Sequence, residues 1–389
     1  MMAHTCPKGA RAPRRDRSRV QTCRRLLRIC IVASMSGAAM LWPIGATAQD
    51  PLPIGCESCT VTFDTVAVLG EQDGPGMIPS ESIRLAQDAA GRYIVLSGEN
   101  ASIQVFSPEG AFVRSIGGEG EGPGEFRWPQ SVASSEDGSI YVLDPMLARI
   151  TVFGPDFQLD RTIRVSDVTL GFDVIAARGD SLILSGYSRD RELFGYAGHV
   201  IAPDGRLIRS FGAPDYPIPS SDPYRLMAAL APSASGAIWV GRKDRYVVGL
   251  WSDTGQRVMS YQRDVEWFER PDPVPDAPPP PRPILVTLQE DPEGLLWLQF
   301  LVAGEEWTTA ALPSAFDSHG WRMEDRDNWM DTVVEVIDPQ EGFVVASRRL
   351  PGRRTPLFGD RLVAKVETDL EREEVRVFVL KMRVDRQGG

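Results

Sequence analysis

From about residue 60 onward, short apolar runs alternate with turn residues, and two neighbouring stretches follow the same plan. Residues 91–118 hold short runs rich in β-branched and aromatic residues around a Val-Phe-Ser-Pro-Glu-Gly phrase, and residues 138–165 repeat this order around Val-Phe-Gly-Pro-Asp. Such runs are typical of β-strands, and the Pro, Asp and Gly residues between them favour hairpin turns. The pattern therefore predicts antiparallel strands in units of about 40–50 residues.

Weaker copies of the unit follow, and the strands at the two ends of the chain complement each other. The last copy ends without an outer strand, whereas residues 60–69 form a spare alternating strand ahead of the first unit. We therefore predict an all-β fold, a six-bladed β-propeller with four-stranded antiparallel blades. The ring closes if residues 60–69 pair with residues 374–381 in the last blade. The alternative is a series of β-sandwiches, which would not need a repeated loop phrase.

The N-terminal residues have the order of a secretory signal. A basic region ends at Arg28, an apolar run extends to Trp42, and the small-x-small sequence Ala46-Thr-Ala48 follows. The apolar run is shorter than the roughly 20 residues of a comfortable membrane span. We predict cleavage after Ala48, with an uncleaved anchor as the alternative. A twin-arginine signal and a lipoprotein site at Cys56 fit the flanking residues poorly.

Charge and domain boundaries follow from this division. Residues 1–48 contain nine Lys and Arg and one Asp, so the rest has 42 − 9 = 33 basic and 53 − 1 = 52 acidic residues, a net charge of −19. Such an acidic body disfavours nucleic-acid binding and stable association with anionic membranes. We predict a signal peptide at 1–48, a short segment at 49–59, the propeller at 60–384 and a tail at 385–389. The location would be periplasmic or extracellular.

Two cysteines remain after the predicted cleavage, in the sequence Cys56-Glu-Ser-Cys59. An even count in an exported chain favours a local disulfide between Cys56 and Cys59. A zinc site would need further ligands, and only His199 and His319 remain. A thioredoxin-like redox role is disfavoured because a strand follows the motif without a βαβ pattern.

Residues 117–129, Gly-Gly-Glu-Gly-Glu-Gly-Pro-Gly-Glu-Phe-Arg-Trp-Pro, and the strands after them resemble an NHL repeat. The chain resembles exported bacterial six-bladed β-propellers of the NHL-like type, most clearly over residues 82–165. The resemblance implies that this Gly-rich phrase, repeated at 70–79, links the outer strand of one blade to the inner strand of the next. It also implies that these links open on the same face as the loops between second and third strands.

Three elaborations of the repeat would share that face: the Pro-rich link 271–283, the insertion 303–331 and the shorter loop 187–196. We expect the Pro-rich link to be extended and exposed. Long loops on a rigid scaffold are often functional. Our candidate contacts for a ligand or partner are Arg189, Arg191, Trp307, His319 and Trp321. The alternatives are a small core made by the tryptophans of the insertion and ordinary surface salt bridges made by the arginines.

The function we favour is a binding or scaffolding module that takes an unknown protein or small molecule at the channel mouth. The alternative is a propeller enzyme, a lyase or a lactonase-like hydrolase with a metal ion in the central channel. That alternative needs ligand residues in which the sequence is poor, with two Asn in the whole chain, Asn100 and Asn328. No nucleophile motif is present. We therefore assign no catalytic residue, cofactor or metal ligand.

Overall fold

Small antiparallel sheets that follow one another along the chain make up the architecture. A computed structural model of the protein describes residues 52–97, 101–166, 168–175, 181–188, 190–213, 227–310, 316–317, 320–321, 329–369, 372 and 374–386. Five sheets have four strands in chain order and a sixth has three. The signal peptide expected at 1–48 lies outside the described residues.

The strands are numbered along the chain, and β1 (Cys59–Leu69) precedes the first blade. Blade 1 contains β2 (Ile83–Gln87), β3 (Tyr93–Ser97), β4 (Ser102–Phe106) and β5 (Phe112–Gly117). Blade 2 contains β6 (Ser131–Ser134), β7 (Ile140–Asp144), β8 (Arg149–Phe153) and β9 (Leu159–Arg164). Blade 3 contains β10 (Val168–Ile175), β11 (Leu182–Ser188), β12 (Gly198–Ile201) and β13 (Leu207–Phe211).

Blade 4 has strands as short as those of blade 1, whereas the strands of blades 5 and 6 are longer. Blade 4 contains β14 (Ala228–Pro232), β15 (Ile238–Arg242), β16 (Val247–Trp251) and β17 (Arg257–Gln262). Blade 5 contains β18 (Ile284–Glu290), β19 (Leu296–Ala303), β22 (Met330–Asp338) and β23 (Phe343–Leu350). A two-stranded ribbon between β19 and β22 contains β20 (Phe316–Asp317) and β21 (Gly320–Trp321). Blade 6 contains β24 (Leu362–Asp369), β25 (Glu374–Arg386) and β1.

The N-terminal strand closes the ring, as the sequence predicts. β1 pairs with β25 in antiparallel register from Cys59 opposite Arg386 to Leu69 opposite Val377. The outermost position of blade 6 is therefore filled by the start of the chain and the inner positions by its end. This closure covers an edge that would otherwise expose a long row of unpaired backbone groups.

Blade 6 departs from the expected four strands at its inner position. The segment before β24 makes only scattered backbone bonds to it, from Thr355 N to Ala364 O and between Phe358 and Leu362. Pro356 in this segment has no N–H to donate. Because a regular ladder needs that donor, the inner strand is reduced to a bridge.

Hydrophobic side chains fill the spaces between successive blades. The strands of blades 1 and 2 contribute one buried cluster that includes Ile94, Ile103, Val142 and Phe153. A cluster between blades 4 and 5 includes Trp239 and Phe300. Each sheet is thus covered on both sides by its neighbours, which explains why the central strands are apolar at nearly every position. Within the described residues, no helix has the length and apolar character needed to cross a bilayer.

Candidate functional site

The direction of the strands gives the ring two faces with different connections. Links between blades and loops between the second and third strands of a blade lie at one end, which we call the insertion-bearing face. The tight turns within each blade lie at the other end, which we call the turn face. The hairpin turns of the turn face are short. In the turn of blade 1, Asp88 accepts hydrogen bonds from Ala90 N and Arg92 N, and Gly91 has a φ of 78°.

On the insertion-bearing face, the Gly-rich link before blade 2 is bound by two side chains of that blade. Buried Arg149 donates to the carbonyls of Glu121, Gly122 and Glu125 at 2.5–2.9 Å. Asp144, which lies directly opposite Arg149 in the pairing of β7 with β8, accepts from Arg127 N at 2.7 Å and from Trp128 N at 3.1 Å. The repeated Asp and Arg therefore bind the link entering their own blade, which is a structural role.

The glycine that begins this link has a specific steric role. Gly117 has a φ of 82°, and a Cβ at this position would lie 2.5 Å from the ring of Phe126. Phe126 is fully buried between blades 1 and 2. The glycine therefore permits both the left-handed turn and the close approach of this ring.

A buried polar triad joins blade 4 to blade 5. The Glu335 carboxylate in β22 accepts from Tyr246 Oη at 2.6 Å and receives Arg263 Nη1 at 2.5 and 2.7 Å. The Glu335 side chain is 1% exposed and that of Arg263 12%. Burial, with Glu335 adding to it, raises the pKa of Tyr246 well above its ordinary value, so the phenol stays protonated and donates.

The Tyr246 ring of this triad also belongs to a cluster of four aromatic rings, which attaches the chain just before the Pro-rich link to blade 5. Tyr246 and Phe300 have ring centroids 4.7 Å apart, and Trp267 and Phe268 approach the same Phe300 ring at 5.2 and 5.4 Å. Trp267 and Phe268 belong to a single 3-10 turn just after β17. The chain just before the Pro-rich link is thus anchored by edge-to-face ring contacts with a central strand of the next blade.

The Pro-rich link itself differs from the exposed, extended segment that we expected. It reverses direction at a turn in which Ala277 N donates to Val274 O and Asp276 has a φ of 64°. Arg270 then donates from Nε and Nη2 to Pro280 O. The tip is exposed, whereas Pro278, Pro280 and Pro281 are buried. The prolines after the turn pack against the protein, and little conformational entropy is lost when they become ordered. The turn itself projects into solvent.

The base of the large insertion is rigid. β19 and β22 remain paired as far as Ala303 and Met330, and Gly304 N donates to Trp329 O beyond them. Buried Asp331 accepts from Arg349 Nε at 2.8 Å, and Arg349 also donates to Ala303 O at 2.7 Å. Asp331 is therefore part of blade 5, so the insertion proper begins after Gly304 and ends before Trp329.

The structure describes only part of the predicted contact set. Trp307 lies in a 3-10 turn at the start of the insertion and is 8% exposed. This burial favours the alternative that Trp307 packs in a small core beneath the insertion. The backbones of Arg191 and Trp321 lie in loop elements of the expected face, in a 3-10 turn and in β21. Arg189 and His319 lie outside the described residues, and their roles stay predictions.

His199 is buried inside blade 3. Its Nδ1 lies 2.7 Å from Ser210 Oγ and its Nε2 lies 3.2 Å from Gly186 O. Because the carbonyl can only accept, Nε2 carries the proton and Nδ1 accepts from Ser210. Burial lowers the pKa of His199 below its ordinary 6.5. This histidine is a neutral core residue that bonds across three strands.

Exposed apolar side chains distinguish the two faces, and the sequence reasoning missed them. Four large exposed hydrophobic residues lie on the insertion-bearing face: Met77, Met146, Phe194 and Val274. Five others lie on β1 and on the outer strands β5, β9, β13 and β17, and Ile54 lies in the N-terminal segment. In the described part of the turn face, the hairpin turns themselves carry none. A repeat alignment that marked apolar residues at loop positions would have found this asymmetry.

Cys56 and Cys59 form a disulfide at the start of β1. Beside it, Gly55 N donates to Val344 O and Val344 N donates to Pro53 O, so the N-terminal segment extends the outer edge of blade 5. Among the described residues, no three His, Cys, Asp or Glu side chains are grouped so as to bind a metal ion. The disulfide therefore lies in a structural setting, at a point where the chain passes between blades.

Six blades closed by an N-terminal strand define the class of protein, and sequence comparison agrees with it. The profile of the DUF5128 family, described as a 6-bladed beta-propeller, matches residues 78–195. The family model and the observed sheets agree on a six-bladed β-propeller. No curated protein matches the sequence.

Solved structures share the fold at low sequence identity. A DUF4221 family member from Bacteroides vulgatus has a TM-score of 0.55 at 10% identity, covering 84% of this chain and 99% of its own. A candidate exported protein from Bacteroides fragilis has a TM-score of 0.52 at 12% identity, covering 85% and 97%. A gluconolactonase from Xanthomonas campestris has a TM-score of 0.45 at 12% identity over 88% and 99%, which is too distant to indicate function.

Proposed function

We propose that this protein is an exported binding module that takes a ligand or a partner protein on the insertion-bearing face, around the mouth of the channel. The observation that supports it most is the distribution of exposed Met77, Met146 and Phe194, which come from three different connections on that face. Methionine and aromatic side chains adapt well to apolar partners and contribute strongly to binding. The described hairpin turns of the opposite face expose no large apolar side chain.

The rigid construction beneath this face supports the same proposal. The Glu335 triad and the pair between Asp331 and Arg349 anchor the Pro-rich link and the insertion at their bases. Buried polar networks with satisfied hydrogen bonds fix the position of the elements that they join. Loops anchored in this way present their tips with a smaller loss of entropy on binding. His319 and Trp321 on the insertion remain candidate contacts, and so do Arg189 and Arg191 on the loop 187–196 of blade 3.

Export is part of the proposal and rests on the sequence of residues 1–48. We expect the secreted protein to begin at Gln49 and to contain the oxidised Cys56–Cys59 pair. Intact-mass measurement of protein isolated from the periplasm or medium, without reductant, tests both statements. A retained N-terminus contradicts the cleavage, and two free thiols contradict the disulfide.

Site-specific photo-crosslinking tests the binding face. A photoreactive amino acid at Met146 or Phe194 should give discrete adducts in the cells that make the protein. The matched controls are Val113 and Leu159, which are similarly exposed but lie on the outer strands β5 and β9. We expect no adducts from the control positions. Equal labelling from both sets, or none from the loop positions, would contradict the proposal.

A deletion of residues 305–328 tests the contribution of the insertion. Because Gly304 and Trp329 are already bridged by a backbone bond, a short Gly-Ser connection can replace the insertion. The shortened protein should fold but lose the adducts formed at Met146 and Phe194. Unchanged adducts would place the contact elsewhere on the face, and loss of folding would assign the insertion to the core. The enzyme alternative predicts instead that the purified protein contains a stoichiometric metal ion.

A further inference from the structure

A short segment ahead of β1 crosses the outside of blade 5, and we call residues 52–58 the strap. At its start, Leu52 is 5% exposed and belongs to the buried cluster between blades 4 and 5, together with Trp239 and Phe300. At its end the strap continues into β1, which belongs to blade 6. The strap therefore connects the core between blades 4 and 5 to blade 6, and it does so outside the strand pairing that closes the ring.

Blade 5 has a backbone partner on its outer edge. Val344 N donates to Pro53 O at 2.8 Å, and Gly55 N donates to Val344 O at 2.9 Å. These two bonds form an isolated parallel bridge between Ile54 and Val344. Among the described residues, no further strand or bridge lies beyond the outer strands β5, β9, β13 and β17. The strap thus covers part of an edge that the described chain leaves uncovered in blades 1 to 4.

The close approach of the strap depends on a glycine. A Cβ at Gly55 would overlap the ring of Phe343, the residue that precedes Val344 in β23. Pro53, Ile54 and Gly55 are themselves exposed, so this part of the strap contributes little buried surface. One bridge and one buried leucine offset only part of the conformational entropy that the segment loses on ordering. The attached state therefore depends on what restricts the strap when it is detached.

The disulfide between Cys56 and Cys59 supplies this restriction. It joins the end of the strap to the first residue of β1, where Cys59 pairs with Arg386 and packs against the cluster between blades 5 and 6. Glu57 and Ser58, between the two cysteines, are exposed. A disulfide limits the freedom of the detached chain and so favours the attached state. Neither cysteine is fully buried, so a reductant can reach the bond.

We propose that the strap is a redox-controlled cover on the outer edge of blade 5. A dithiol reductant transfers two electrons and two protons to the Cys56–Cys59 disulfide, which leaves two thiols on the protein and a disulfide on the reductant. The strap then detaches, Leu52 leaves the core between blades 4 and 5, and Val344 loses both backbone partners. β1 stays in place, because its pairing with β25 does not involve the disulfide.

This device goes beyond the binding function proposed above and is independent of it. The strap lies on the outside of the ring, whereas the candidate contacts lie on the insertion-bearing face. Detachment of the strap opens a strand edge, a kind of surface on which extended chains pair. The state of that edge is therefore set by the redox conditions around the protein.

Hydrogen exchange measured by mass spectrometry, before and after treatment of the purified protein with a dithiol, tests the proposal. Reduction should speed exchange at residues 54–56 and 343–346 by at least about tenfold. The amides of β1 and of blades 1 and 2 should keep their rates, and intact mass confirms the redox state of each sample. Equal rates at residues 343–346 in both states would overturn the proposal. Faster exchange along β1 would also overturn it, because the disulfide would then maintain ring closure.

Variants separate control by the disulfide from general loosening. The double variant Cys56→Ser, Cys59→Ser should exchange fast at residues 343–346 with or without reductant. Gly55→Ala keeps the disulfide but places a Cβ against the Phe343 ring, so it should detach the strap in the oxidised protein. Gly118→Ala is the matched control, because no atom lies within 4 Å of its Cβ, and it should respond to reduction as the parent does. Slow exchange at residues 343–346 in the double variant or in oxidised Gly55→Ala would overturn the proposal.

Discussion

Blades 1 and 2 and blades 4 and 5 have the same strand order but connect to their neighbours in different ways. The link into blade 2 is compact, and Arg149 and Asp144 bind it through its own backbone. The link into blade 5 is long and is anchored by an ion pair and edge-to-face ring contacts, with Arg263, Glu335 and Phe300 as the central residues. The regular blades have five-residue central strands, whereas β19 has eight residues and β22 has nine.

This difference shows how a ring of repeats accommodates a functional elaboration. A short link has few backbone groups that need partners, and hydrogen bonds from one arginine to its carbonyls hold most of it in place. A long link exposes more chain and needs attachment at its base, which the aromatic rings and the buried Glu335 provide. The longer strands raise the base of the insertion above the neighbouring blades by about 3.3 Å per additional residue. The link into blade 5 therefore depends on side-chain interactions between blades, whereas the link into blade 2 depends on side-chain bonds to its own backbone.

The largest expected effect tests whether the regular blades are stable without closure of the ring. A chain that begins after Gly70 lacks β1 and leaves the long strand β25 with an open edge. We expect it to aggregate, because unpaired strand edges associate. A chain that begins at Gln49 is the control and should remain soluble. A monomeric, folded product of the shorter chain in size-exclusion chromatography and circular dichroism would show that closure is dispensable.

The next effect concerns the elaborated blades. Replacing Glu335 with Ala leaves Arg263 as a nearly buried unpaired charge, and this should lower the free energy of unfolding by about 3–5 kcal/mol. Glu367→Ala is the control, because its pair with Lys365 is exposed on β24. That change should cost less than about 1 kcal/mol. Urea denaturation compares the two, and similar midpoints would mean that the triad does not anchor the link.

A smaller effect is expected in the regular blades. Arg149→Met removes hydrogen bonds to three carbonyls in a buried setting, so we expect a loss of about 2–3 kcal/mol. Arg127→Met is the matched control, since Arg127 pairs with Glu121 in an exposed position of the same link. If both variants unfold at the same urea concentration, then the link does not need Arg149 and the difference between the two regions is smaller than we infer.

The smallest effect is a pH dependence in blade 3, between the two regions. The pKa of His199 is below its ordinary 6.5 because burial disfavours the charged ring, so the unfolded chain takes up a proton first as the pH falls. The stability that neutral His199 contributes is present above about pH 6.5 and is lost as the pH falls toward the folded-state pKa. His199→Gln should therefore lose less stability than the parent between about pH 7.5 and about pH 5. Parallel pH profiles of the two proteins would contradict this assignment.

The fold was predictable because each unit of the repeat has a recognisable local sequence pattern. Strand alternation, the hairpin phrases and the spare strand at residues 60–69 are short-range features, and they lead to six blades and to the observed closure. The bridge at the inner position of blade 6 was not predicted, although Pro356 marks it in the sequence. The packing of Pro278 and Pro280 was also missed, because a polyproline pattern gives the same signal on a surface and in a contact.

The candidate site was predictable only as a face. Topology places all links and second loops at one end of the ring, so the sequence could assign the elaborations to the same side. It could not show that Trp307 is buried while Met146 and Phe194 are exposed, since each lies in an irregular loop without periodicity. Nor could it bring Arg242 to the carbonyls of Gly195 and Gly212, which belong to the preceding blade.

The sequence by itself determined the strand pattern, the number of blades, the ring closure and the face that bears the insertions. All of these follow from local propensity and from the need to pair a strand edge. Only the tertiary structure decided which side chains become buried partners across blades, as Tyr246, Arg263 and Glu335 do. Such contacts join residues from different units of the repeat, and a pattern within one unit carries no information about its neighbour's side chains.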